Sequence, residues 1–174
     1  MKPAREPRVN ALDDSHRTIA EALRRHVGDL REYVIFTSDP ERGYYIQAVG
    51  HDKEGSIVLH AEAVSDEFLE PQDQLGRSGA DTLRGLGWQD PSSESKSLED
   101  PPNWWREFVI ASAEDVDGIA ETLLATLRDA YGYEGSELDV ELGEPLMSLE
   151  ELSASPALKQ LVATLRDRKS LDGT

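Results

Sequence analysis

The sequence predicts an α+β fold: one antiparallel β-sheet of about four to five strands packed against helices, with an added helix in the C-terminal part. Three observations carry the prediction. Strand-like runs between Tyr33 and Val64 are separated by turns of only a few residues, which makes sequence neighbours antiparallel. Ile57, Leu59, Ala61 and Ala63 alternate with Val58, His60, Glu62 and Val64, so one strand has two distinct faces. From Val116 to Tyr131 apolar residues recur at helical spacing.

Residues 1–12 are charged and broken by Pro3 and Pro7, and they are expected to form a flexible lead. Asp13 or Asp14 then caps a helix over 14–30 whose face is Ile19, Leu23, Val27 and Leu30. Tyr33-Val34-Ile35-Phe36 opens a first strand over 33–37, and Asp39-Pro40-Glu41-Arg42-Gly43 turns the chain. A second strand is expected over 44–50, a turn at Asp52-Lys53-Glu54-Gly55, and a third strand over 56–64.

After Glu70-Pro71, Asp73 is expected to open a second helix reaching Leu86. Gly76 and Gly79 inside it each cost about 1 kcal/mol relative to alanine. Leu75, Leu83 and Leu86 supply a buried face, and Gly87 supplies the left-handed cap. A polar loop from Gln89 to Pro102 leads to a fourth strand over 104–110. Ser112 and Asp115 form a capping-box variant at the start of a helix over 113–131, which Gly132 and Gly135 end. Leu138 to Leu142 alternates like a short strand. Ser155-Pro156 starts a last helix with Leu158, Leu161, Val162 and Leu165 on one face. The expected organisation is a lead over 1–12, a folded domain over 13–135 and an extension with a short strand and a helix over 136–174.

A chain of 174 residues holds one domain with a real core and needs no metal or disulfide staple. Its 35 acidic residues against 18 basic give a net charge of -17. That field repels phosphate backbones and anionic lipid, so neither a nucleic-acid nor a membrane partner is expected. The excess either favours basic partners or only solvates the surface. There is no cysteine, hence no disulfide, thiol nucleophile or thiolate metal site. The N-terminal residues lack the apolar core of a signal peptide, and no apolar run is long enough to span a bilayer. The cytoplasm is the expected address.

The search for chemistry finds little. His16 and His26 lie ten residues apart on one helix and so on different faces, and no His-x-x-x-His pair exists. Asp115-Val116-Asp117-Gly118 resembles part of a calcium loop, lacks the distal glutamate, and reads as a helix cap. Gly85-Leu86-Gly87 follows no strand and precedes no Lys-Ser/Thr, so it is not a phosphate loop. His60 and Glu62 share a strand face and read as an ordinary solvated pair. No enzyme activity, metal or cofactor is expected.

All three tryptophans flank one loop, Trp88 before it and Trp104-Trp105 after it. Adjacent strand residues point to opposite faces. Trp104, with Phe108 and Ile110, is therefore expected in the core, and Trp105, with Glu107 and Val109, on the face away from the helices. If Tyr45, Gln47, Val49, Val58 and His60 share that second face, it is half apolar. Two readings follow. It is a peptide-binding surface lined by Tyr45, Gln47, Val58, His60 and Trp105 with Glu62 at its polar part, or it is covered by the helix after Ser155.

Five segments occur in a recognisable order: Tyr45-Ile46-Gln47-Ala48, Glu62 to Leu69, Leu86-Gly87-Trp88, Pro102-Asn103-Trp104 and Thr126 to Gly132. Together they resemble the actinobacterial YbjN-like domains, grouped with type III secretion chaperones as TY-Chap peptide-binding chaperone-like domains. The resemblance spans about Glu32 to Gly135. Asp66 departs from it, since asparagine is expected there, and the second helix is glycine-rich for the family. The resemblance implies an α-β-β-β-α-β-α sandwich with helices mainly on one sheet face, often as a homodimer. It also implies a non-catalytic role, holding a peptide or an unfolded client segment, and it assigns no client-binding residue. The competing class is an acidic inhibitor or immunity-type protein that masks a basic site on a partner, which the charge suits equally.

Overall fold

The computed structural model describes residues 9–27, 33–91 and 102–143. Their elements run α1 (Val9–His26), β1 (Tyr33–Asp39), β2 (Tyr44–Lys53), β3 (Ser56–Ala63), a 3₁₀ turn (Asp66–Phe68), α2 (Gly76–Gly85), β4 (Trp104–Ile110), α3 (Ala113–Asp129) and β5 (Asp139–Gly143). The helix expected after Ser155 lies outside the described residues. The strands form one antiparallel sheet in the order β4-β3-β2-β1-β5, which is the α+β architecture the sequence predicts. Between β2 and β3 the turn residues Glu54 and Gly55 both have positive φ, as the twist of a two-residue hairpin requires. β5 returns along β1 from Thr37↔Asp139 to Tyr33↔Gly143.

The core lies between the sheet and the helices. Val34, Phe36, Ile46, Ala48, Leu59, Ala61 and Ala63 are buried on the sheet side, and Ile19, Leu23, Ile119, Leu123 and Leu127 meet them from α1 and α3. Each large aliphatic side chain among them contributes about 1.5–3 kcal/mol by leaving water. Tyr131 closes this layer just after α3. Its ring packs on Tyr44 with centroids 5.3 Å apart, and its hydroxyl donates to the Val64 carbonyl at 2.6 Å. Burial there pushes the phenol well above its ordinary pKa.

Helix starts are where local reading and structure differ. α1 begins at Val9, inside the expected lead, so Asp13 and Asp14 sit within the helix and cap nothing. Asp14 instead pairs with Arg17 at 3.2 Å, and its carbonyl accepts the Thr18 hydroxyl. Packing carries the helix past its apparent cap: Leu12 lies against the core, and buried Ser15 Oγ is 2.8 Å from the Tyr133 hydroxyl.

α2 starts at Gly76 and not at Asp73. Its amides are satisfied from ten residues upstream, where Asp66 Oδ1 accepts from the Leu75 N–H at 2.7 Å and Oδ2 from the Gly76 N–H at 2.9 Å. Both carboxylate oxygens are used, which an asparagine cannot match. Asp73 is occupied elsewhere, 3.8 Å from Arg42 and with its carbonyl accepting the Tyr44 hydroxyl. Gly79 is also more than a cost. A Cβ there falls 2.3 Å from the Leu75 Cβ, so Leu75 folds over the helix only because residue 79 has no side chain. Gly87 has the expected positive φ of 88°, and a Cβ would meet Arg106 Nη1 at 2.7 Å. The Ser112–Asp115 capping box of α3 is present.

Candidate functional site

Two of the three tryptophans are structural. Trp88 is buried at the end of α2, and Trp104 is buried on the helix side of β4 with the Arg84 guanidinium 5.5 Å from its ring. Beside Trp104 a hollow of about 270 Å³ is lined by Ser65, Asp66, Leu75 and Ala80 among others, and Asp66 in it is already committed to the start of α2.

Trp105 lies on the opposite face, and the strand registers place its neighbours. One row crosses the whole sheet: Glu141↔Ile35↔Gln47↔Glu62↔Trp105. The next holds Val49↔His60↔Glu107, a third holds His51↔Val58↔Val109, and Thr37↔Tyr45 flanks them. Tyr45, Gln47, Val58, His60 and Trp105 therefore share one face, together with Glu62. Sequence alternation alone put the six on consistent sides of their strands; only the registers could bring them together.

That face is not uniformly open. Ile35 is 3 % exposed, Gln47 1 % and Val58 4 %, whereas Val109 at the β4 edge is 65 % exposed. Glu107 and, at the far edge, Asp139 and Glu141 are also exposed. Neither Tyr45 nor Gln47 is a free group.

At the centre sits a buried carboxylate. Glu62 Oε2 accepts from Gln47 Nε2 at 3.0 Å and from Asn103 Nδ2 at 3.3 Å. His60 Nε2 lies 3.1 Å from Glu62 Oε1, a hydrogen bond when that nitrogen carries the proton. Asn103 also reaches the Tyr45 hydroxyl at 3.3 Å, and its Oδ1 accepts the Ser65 amide at 3.1 Å. His60 in turn stacks on Trp105, with ring centroids 6.2 Å apart and planes 19° from parallel. The His60–Glu62 contact is thus no solvated pair. Glu62 is buried, and burying a carboxyl group is costly unless its oxygens find hydrogen-bond partners, which these side chains supply.

Asn103 is the residue that sequence reasoning missed, noted only as part of Pro102-Asn103-Trp104. A polar residue beside two tryptophans was the available signal, since burial among large rings demands partners for its amide. Chemically the cluster positions rings. Both Glu62 oxygens are engaged, and they fix His60, which sets the plane of Trp105. Among the described residues no three His, Asp or Glu side chains are arranged to hold a metal ion, and no helix is long and apolar enough to cross a membrane.

Fold and face together define a two-layer α+β domain, with one sheet face given to the core and the other to a mixed apolar and polar surface. Residues 10–139 match the family model described as "T3SS (YopN, CesT) and YbjN peptide-binding chaperone 3", and the chain belongs to that family. The five ordered segments that carry the resemblance fall inside this match. No curated protein and no solved structure matches the chain significantly.

Proposed function

We propose that this peptide-binding chaperone-like domain holds its client on the second face of the sheet, towards β4. The observation that carries the reading is the Trp105–His60 stack, locked from below by buried Glu62 and bordered by exposed Val109. A flat aromatic surface already fixed in place loses little entropy on binding. Trp105 and His60 are the part-exposed contacts, and buried Tyr45, Gln47, Val58 and Glu62 form the floor that holds them. β4 is also an edge strand, and among the described residues only Gln89 pairs with its outer side, at Trp105. An extended client can therefore add along the remainder of that edge. The acidic surroundings favour a basic client segment. The protein acts in the cytoplasm without catalysis, as a homodimer. The masking-inhibitor alternative draws no support from the family.

Binding to an immobilised peptide panel graded in charge and apolarity tests the reading. Basic, apolar peptides bind the wild type, less so at high salt, and Trp105→Ala abolishes the signal while thermal stability stays nearly unchanged. Equal binding by Trp105→Ala moves the site elsewhere.

A further inference from the structure

We propose that residues 155–170 of this same chain bind the second sheet face in cis, as a built-in basic ligand that a client must displace; the displacement rests on the peptide-site reading above. Four observations converge. The centre of the face is closed to water at Ile35, Gln47 and Val58, yet α1 and α3 meet the sheet from the opposite side. Residues 155–170 carry Leu158, Leu161, Val162 and Leu165 at helical spacing, an apolar stripe that needs a partner.

Charge is the third. The segment holds Lys159, Arg166, Arg168 and Lys169 against one acid, Asp167, in a chain of net charge -17. The face it would meet carries Glu62, Glu107, Asp139 and Glu141, with Lys53, already on Glu107 at 3.3 Å, as its basic member. Within this chain the segment is therefore the kind of peptide that the face should prefer.

Reach is the fourth. β5 ends at Gly143 on the sheet edge, opposite Tyr33. The 11 residues from 144 to 154 can extend roughly 36 Å. Five strands at roughly 4.8 Å spacing set the first and last only about 19 Å apart. A helix of 14–16 residues is about 21–24 Å long, close to that width. A tether of this length holds the segment at an effective concentration of about 1 mM, so even weak docking fills the face.

The test uses the full chain, with a fluorescein-labelled synthetic peptide of residues 155–170 as probe. Leu161→Asp/Leu165→Asp breaks the apolar stripe, and Arg166→Glu/Arg168→Glu reverses its charge without touching the stripe. Both should keep a cooperative thermal unfolding transition, bind the probe about tenfold more tightly than wild type, and raise acrylamide quenching of Trp105, since Trp88 and Trp104 are buried. Adding Trp105→Ala to either should abolish probe binding. Unchanged quenching and unchanged probe affinity in both variants overturn the inference, while panel peptides that bind wild type and not Trp105→Ala leave the functional reading intact. Increased quenching with no peptide bound overturns both. A wild-type dimer in sedimentation that Leu161→Asp/Leu165→Asp dissolves overturns docking in cis and assigns the segment to the face of a second copy.

Discussion

The indole N–H of Trp88 donates to Thr126 Oγ1 at 2.9 Å, tying the end of α2 to α3 inside the core. Thr126 is itself fully buried and spends its own proton on the Thr122 carbonyl at 2.8 Å. One hydroxyl thus completes two elements, and it explains how a tryptophan with a polar edge can be buried at a helix end.

Thr126→Val should therefore cost about 1–3 kcal/mol, because the indole N–H is left buried and unpaired. Trp88→Phe with Thr126→Val should cost less than the sum of the two single changes, by about 1 kcal/mol. Urea titrations of the four proteins give the cycle. Strict additivity would show that the bond contributes nothing.

Trp104→Ala should cost about 3–5 kcal/mol by emptying a site between β4 and the core. The midpoint of denaturant unfolding is the measurement. A shift too small to resolve would place the ring outside the core.

Asp66→Ala should lower stability by about 0.5–2 kcal/mol, since two amides at the start of α2 lose their acceptor. Asp66→Asn should lose less, keeping one of the two bonds. Amide exchange across Leu75 to Leu83 should quicken in the same order. Equal exchange in all three proteins would mean that α2 does not depend on Asp66.

Asp115 sets a pH dependence. The amides of Ala111 and Ser112 donate to its carboxylate, both at 2.8 Å, and hold its pKa below the ordinary carboxylate value. A folded-state value below the unfolded one adds stability that is complete above about pH 3.9 and is lost as pH falls through the lowered value. Asp115→Ala should therefore melt earlier than wild type at pH 7, and the two midpoints should converge in acid. A gap that persists at pH 2 would assign the effect to packing instead.

The sequence by itself determined the elements and their faces. Alternation in Ile57 to Ala63 and the helical stripe from Val116 to Tyr131 are local patterns, written within a few residues of one another. Adjacent Trp104 and Trp105 had to part for the same reason, and Gly87 had to end α2 because few other residues accept its φ. Tertiary structure decided the rest. Asp66 caps a helix ten residues away, and α1 runs past Asp13 because Leu12 lies against the core and Ser15 finds the Tyr133 hydroxyl beyond α3. β5 lies beside β1, more than a hundred residues earlier in the chain. The Glu62 cluster joins β2 and β3 to the start of β4, so its burial depends on registers that no local window contains. Local physics fixes which way a side chain points. What it meets there depends on chain closure over long distances, and only the folded sheet sets that.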